Sequence, residues 1–345
     1  MKNRAYHPSA TSPSSRKAPG VTQPSLKTTV RPGGRRRTTW VRKHVSLMTC
    51  AALLVGLAVV VAAVRLDKPA RSLQSEQPLR YLGVYNPTSP SSYSGVDQFA
   101  QAIGKEPNIA CYYSAWLEPF QVGFATSAVE HGAVPLVQIN PEGVSLPAIA
   151  AGKYDAYLRA YAAKVRSYRH RVILSFGHEM NGSWFSWGYR KTSPAAFVAA
   201  WRHIVTIFRA VGASNVTWLW TINIIDLRGG IAAPAPWWPG SSYVTWVGID
   251  GYYFSPSWRF APLFGPTIKA VSALTHDPIL ITETAAAPAA GKAAKIANLF
   301  AGVRAYGLLG FVWFNAKAER DWRLNSSAAT NAFRRAAKAY YRPVP

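Results

Sequence analysis

The chain has 345 residues, of which 49% are hydrophobic, and it carries a formal net charge of +24 at pH 7. The length suits one α/β barrel of about 250 residues preceded by an N-terminal extension. Such a charge usually indicates a nucleic-acid partner. However, residues 1–44 contain eleven of the 39 basic residues and none of the 15 acidic ones. We attribute these eleven basic residues to membrane topology and exclude nucleic acid as a partner.

The N-terminal extension divides into three parts. Residues 1–44 are rich in Pro, Ser, Thr and Gly, a composition that predicts a disordered tail. Residues 45–64 contain no charge over 20 residues, which is enough for a transmembrane helix. Arg42 and Lys43 directly precede this run, so the positive-inside rule predicts a signal-anchor with a cytoplasmic tail. Residues 65–79 read as a polar linker.

This reading makes the protein single-pass in the plasma membrane, with everything after the span extracellular. The alternative is a cleaved signal peptide and a secreted product. A 44-residue n-region is long for a signal peptide, and the apolar run exceeds the usual 7–15 residues.

From residue 80 onwards, apolar runs alternate with segments of helical spacing. The clearest helices are predicted at 154–168, 194–211, 292–306 and 328–341, with Ser193 and Pro194 as a helix start. The predicted strands are Tyr81–Tyr85, Ile109–Tyr113, Val134–Ile139, Val172–Phe176, Val216–Thr221, Val247–Gly251, Ile279–Thr282 and Leu308–Phe314.

Eight strands in this order predict a (β/α)8 TIM barrel over residues 80–345, with its active site at the C-terminal ends of the strands. The fifth connection, residues 224–243, reads as an irregular loop. A doubly wound open sheet is the alternative. No Gly-rich phosphate loop follows the first strand, so nucleotide binding has little support.

Two glutamates stand where apolar strands end. Glu179 follows the fourth predicted strand, and Glu283 follows the aliphatic run of the seventh. A buried, unpaired carboxylate is costly, so one such residue is usually capped or salt-bridged, whereas two beside aromatic residues favour catalysis. Paired carboxyls at strand ends indicate hydrolysis of a glycosidic bond.

The segments HEMNGSWFSW, GIDGYYF, ITET and FVWFNAKAERDWRLNSS resemble glycoside hydrolase family 26. The resemblance covers about residues 80–341 and implies a retaining glycosidase with Glu179 as acid/base and Glu283 as nucleophile. It also implies that Tyr252 bonds the nucleophile, that Trp184 lines the leaving-group side, and that Trp313 forms the platform under the sugar.

Other candidate substrate-binding residues are less specific. His178 precedes the acid and would contact the sugar or the nucleophile. Trp187 lies in the same loop, and its alternative is core packing. Asn140 ends the third predicted strand and could bond a sugar hydroxyl, although Asn is also a common turn residue. Tyr253 is the register alternative to Tyr252.

The leading hypothesis is an endo-β-1,4-mannanase acting on a polysaccharide substrate, with no cofactor and no metal. The first alternative keeps the mechanism but changes the substrate to mixed-linkage β-glucan or a cell-surface polysaccharide. The alternative of another class is a non-catalytic polysaccharide-binding or envelope-assembly barrel.

Overall fold

A computed structural model of the protein describes residues 80–226, 230–287 and 290–342. The predicted tail (1–44), span (45–64) and linker (65–79) lie outside the described residues. Within the described part of the chain, no helix is both long and apolar enough to cross a membrane. The predicted signal-anchor therefore stays a prediction.

Eight parallel strands close into a barrel in chain order, with the last strand pairing back to the first. All eight apolar runs predicted from the sequence are strands, because strands buried on both faces read as continuous hydrophobic segments. Closure excludes the open doubly wound sheet. The strands are β1 Tyr81–Tyr85, β2 Ile109–Ala115, β3 Val134–Asn140, β4 Val172–Phe176, β5 Val216–Asn223, β6 Trp246–Asp250, β7 Ile279–Thr284 and β8 Gly310–Phe314.

The helices surround the barrel and begin and end where local chemistry favours it. The Ser193 hydroxyl accepts the Ala196 N–H at 3.2 Å, which caps the fifth helix, and Gly212 ends that helix with φ at 82°. The described helices are α1 Ser94–Ile103, α2 Val122–Glu130, α3 Leu146–Ala150, α4 Asp155–Tyr168, α5 Pro194–Val211, α6 Phe260–Ser272, α7 Lys292–Ala305 and α8 Ser327–Tyr340.

The connection between β5 and β6 is irregular, as predicted. Its described residues form two short 3₁₀ turns, Ala235–Trp237 and Ser241–Tyr243, and no α-helix.

Side chains fill the barrel interior, so the strands enclose a packed core. At the N-terminal end, the Tyr81 and Trp246 rings lie 5.0 Å apart, and the Arg171 guanidinium lies 4.6 Å from the Trp246 ring. Gly248 faces the Thr221 and Thr282 hydroxyls so closely that a Cβ there would lie 2.1 Å from the Thr282 oxygen. With this end closed, the C-terminal end of the barrel is left for a binding site.

Candidate active site

The turn after β4 presents Glu179 from a strained backbone. Gly177 and Glu179 both have positive φ, 56° and 55°, although Glu179 is not a glycine. The left-handed conformation costs a non-glycine residue about 1–2 kcal/mol. The Glu179 N–H donates to the Thr221 carbonyl of β5 at 2.9 Å, which fixes the turn. Backbone strain of this kind is concentrated at functional sites.

Two donors hold the Glu179 carboxyl group. The Trp184 indole N–H donates to one oxygen at 2.7 Å, and the Asn223 amide donates to the other. Burial, together with the charge of Glu283, raises the pKa of Glu179 to about 8, against the opposing effect of the two donors. The carboxyl group is therefore protonated near neutral pH.

Asn181 fixes the position of Asn223. Its amide donates to the Asn223 carbonyl at 2.9 Å and to the Ala232 carbonyl at 3.1 Å, and its oxygen accepts the Asn223 N–H at 2.8 Å. The β4 loop and the end of β5 are thus joined beside the acid.

Glu283 lies on β7, in register with Asp250 of β6. The phenol groups of Tyr113 and Tyr252 each donate to one of its carboxylate oxygens. Burial raises the pKa of Glu283 above its usual value, and the two phenol donors offset part of this rise. Hydrogen bonds to the charged form stabilise that form, so the tyrosines favour an ionised Glu283.

A third carboxyl group, that of Asp250, lies near the two glutamates. It is fully buried, and neither carboxyl oxygen has a hydrogen-bond partner among the described residues. Burial and the nearby charges of Glu283 and Glu179 raise its pKa well above the usual range. We infer that Asp250 is protonated beneath the two glutamates.

His178 lies in the wall behind the glutamates. Its ring packs against Phe185 at 4.9 Å and against Tyr113 at 5.6 Å, between ring centres. Burial lowers the pKa of His178 to about 3, so the imidazole is neutral. His178 does not line the cavity described below, so the predicted contact with a sugar is replaced by packing against a tyrosine that bonds Glu283.

A cavity of about 310 Å³ opens above the barrel. Trp184 is 39% exposed at its rim, so the cavity is continuous with solvent. Both glutamates face it, and most of its remaining wall is aromatic or aliphatic. The lining residues are Glu179, Trp184, Phe185, Asn223, Ile224, Asp226, Ile231, Gly251, Tyr252, Phe254, Trp258, Glu283, Phe314, Ala318, Glu319 and Trp322.

Three residues that the sequence predicted to contact the substrate do not line this cavity. Trp313 points outward and packs against Phe333 of α8 at 5.5 Å, while the next residue, Phe314, faces the cavity. Trp187 does not line the cavity; it is buried and donates its indole N–H to the His178 carbonyl at 2.8 Å. Asn140 is buried at the end of β3 and does not line the cavity.

The sequence did not predict the contacts that three other site residues make. Trp322 lines the cavity, packs on the Tyr252 ring at 4.5 Å and donates its indole N–H to Glu319 at 3.1 Å. Its only signal in the sequence was the Asp-Trp-Arg segment in the last loop. Tyr113 and Asn223 bond the two glutamates, and their signal was only their place at strand ends.

Within the described residues, no group of three or more His, Cys, Asp or Glu side chains could hold a metal ion.

Comparison with known proteins agrees with this geometry. The model of the family described as glycosyl hydrolase family 26 matches residues 147–335. Endoglucanase H of Acetivibrio thermocellus is 32% identical over 272 residues, covering 74% of this chain and 30% of that protein. The mannan endo-1,4-beta-mannosidase A and B of Caldalkalibacillus mannanilyticus is 30% identical over 86 residues, 23% of this chain and 16% of that protein.

Solved structures share the fold. Mannanase man26 of Bacillus subtilis superimposes with a TM-score of 0.58 at 17% identity, covering 76% of this chain and 86% of that one. An endo-beta-1,4-mannanase double mutant of Cellulomonas fimi gives a TM-score of 0.61 at 17% identity, covering 76% and 72%.

Proposed function

This chain belongs to glycosyl hydrolase family 26 and is therefore a glycosidase, and we propose that it is a retaining endo-β-glycanase. The observation that carries the proposal is the unequal environment of two carboxyl groups that face one cavity. Indole and amide donors hold Glu179, with a pKa above neutral, and two phenols hold Glu283.

These environments support one assignment of roles. Protonated Glu179 donates its proton to the glycosidic oxygen while ionised Glu283 attacks the anomeric carbon, which gives a covalent glycosyl-enzyme and releases the leaving-group sugar. Glu179, now ionised, takes a proton from water, and that water attacks the anomeric carbon and frees Glu283. The phenols of Tyr113 and Tyr252 hold the nucleophile in position, and Trp322 offers an aromatic face beside it.

The lining of the cavity supports a neutral polysaccharide as substrate. Its described wall contains four carboxyl groups, those of Glu179, Asp226, Glu283 and Glu319, and no Lys, Arg or His. Such a wall repels an anionic polymer. The exposed rim, which lets a long chain lie across the site, supports endo cleavage.

We propose β-1,4-mannan as the polymer and β-glucan as the second candidate. The match to Endoglucanase H favours glucan, because it covers most of the barrel. However, the match spans only 30% of that protein, so its endoglucanase activity need not belong to the matched part. The sequence segments that resemble family 26, from which mannan was first predicted, are the reason why mannan remains the first candidate substrate.

The location outside the plasma membrane, with the residue 45–64 span as anchor, is likewise a proposal that rests on the sequence. Fractionation of cells that express the full chain tests it. The protein should remain with membranes after a carbonate wash, and a protease added to intact cells should reach the barrel.

The function is tested with the purified full chain in detergent on β-mannan, mixed-linkage β-glucan and cellulose. Products should be oligosaccharides from one polymer, with the β-configuration retained at the new reducing end by proton NMR. Glu283→Gln should abolish their release. Binding without turnover would refute the proposal in favour of a polysaccharide-binding barrel.

A further inference from the structure

The binding surface extends beyond the cavity that holds the two glutamates. A second cavity of about 270 Å³ lies beside it, and the two share Ile224, Asp226 and Trp258 in their walls. Arg259 and Leu263 line the far side of this second cavity. The Trp258 indole thus borders both spaces, and a ligand that leaves one cavity enters the other across it.

A line of aromatic rings leads from the nucleophile to this border. Tyr252, which bonds Glu283, packs against Trp322; the Trp322 ring lies 5.3 Å from Phe254, and Phe254 lies 5.9 Å from Trp258. Phe254 and Trp258 are 39% and 38% exposed, which leaves large apolar faces in water. Exposed rings that continue a binding cavity mark a surface for a ligand with an apolar face.

Helix α7 holds both loops that carry these rings. Lys292 is 1% exposed, and its ammonium donates to the Asp321 carbonyl at 3.0 Å and the Arg323 carbonyl at 2.6 Å, on either side of Trp322. Lys295, one turn further and 3% exposed, donates to the Pro256 carbonyl in the loop of Phe254 and Trp258.

The second loop has further support. Arg259 donates to the carbonyls of Pro256 and Trp258 at 3.0 Å each, and the Trp258 N–H donates to the Ser255 carbonyl at 3.2 Å. Burying a lysine ammonium costs free energy. The buried Lys295 ammonium is stabilised by its hydrogen bond to the Pro256 carbonyl, and this bond holds the loop that carries Trp258. A preorganised surface binds its ligand more tightly.

We propose that Trp258 is the platform of a distal sugar subsite, which binds a further unit of the neutral polysaccharide beyond those held at the glutamates, and that Lys295 positions it. This rests on the proposed function, since the subsite serves the same polymer. One pyranose ring stacks its C–H face on the indole, and the chain continues into the second cavity.

The test compares wild type with Trp258→Ala, Trp258→Phe and Lys295→Met on β-1,4-manno-oligosaccharides and cello-oligosaccharides of increasing length. We expect Trp258→Ala to lower kcat/KM about tenfold for the longest oligosaccharides, mainly through KM, which corresponds to about 1.4 kcal/mol of binding. The loss in kcat/KM should become smaller as the oligosaccharide becomes shorter, and it should be smallest for the shortest oligosaccharide that is cleaved. Trp258→Phe should recover part of the loss, and Lys295→Met should reproduce the length dependence more weakly.

Lys269→Met, which removes an exposed lysine of α6 outside both cavities, is the matched control and should behave as wild type. Equal loss for every length, or no loss at any length, would overturn the subsite while the glycanase function stands. A wild-type protein that cleaves none of the oligosaccharides would instead overturn the proposed function itself.

Discussion

Replacing Asn223 with alanine removes one of the two donors that hold Glu179. A hydrogen bond to a charged group contributes about 1.5–3 kcal/mol, and about 1.4 kcal/mol corresponds to one pKa unit. Water can partly replace the lost amide, because Asn223 lies at the cavity wall, so the lower end of this range applies. The donor stabilises the ionised carboxylate, so its loss raises the pKa of Glu179.

Glu179 must carry its proton to act as an acid, so the alkaline limb of the pH profile follows its ionisation. We expect the limb of kcat/KM, which reports the free enzyme, to move up by about one pH unit in Asn223→Ala. Asn315→Ala is the matched control, because this amide ends β8 and accepts the Leu324 N–H at 3.0 Å without contacting the acid. A limb that stays in place or moves to lower pH in Asn223→Ala would refute the assignment of Glu179 as the acid held by this amide.

Other substitutions separate chemistry from packing. Tyr252→Phe removes a donor to the nucleophile, so the acidic limb should move to higher pH and kcat/KM should fall about tenfold, whereas Tyr112→Phe should leave the limb in place. Asp250→Asn should raise the thermal midpoint by at least about 2 °C at pH 7 and leave it unchanged near pH 4. The raised pKa of this carboxyl group lowers the stability of the folded protein only above the unfolded-state pKa of about 3.9, where the unfolded chain has lost the proton that the folded protein keeps. Equal midpoints for the variant and the wild type at pH 7 would show that Asp250 is ionised. Trp322 and Trp313 are both buried, so Trp322→Phe and Trp313→Phe should each lower the midpoint, but only Trp322→Phe should also lower kcat/KM; a fall in kcat/KM in Trp313→Phe with none in Trp322→Phe would restore Trp313 to the site.

The barrel was predictable because its strands are buried on both faces. Each strand is a continuous apolar run, and Glu179 and Glu283 interrupt two such runs at the end where barrel sites form. Their place in the sequence therefore already indicated their place in the fold.

The difference at Trp313 came from adjacent aromatic residues whose faces the sequence does not distinguish. Trp313 and Phe314 are neighbours on β8, and only the strand's rotation in the barrel puts Phe314 inward and Trp313 on α8. Tyr112 and Tyr113 pose the same question on β2, where Tyr112 packs on Phe124 at 5.3 Å and Tyr113 bonds Glu283. Side chains alternate along a strand, so a one-residue difference in register exchanges core and site.

The chain enters the barrel at the end opposite the cleft. Arg80 donates its N–H to the Leu309 carbonyl just before β1 and β8 begin, and α8 returns to the same end at Tyr340. Strands of five to eight residues at about 3.3 Å per residue separate this end from the cleft by about 17–26 Å. Coupling the protein to a bead or surface near residue 80 or near Tyr340 should therefore leave the cavity facing bulk solution. An insoluble polymer can then bind across the cavity without steric conflict with the support.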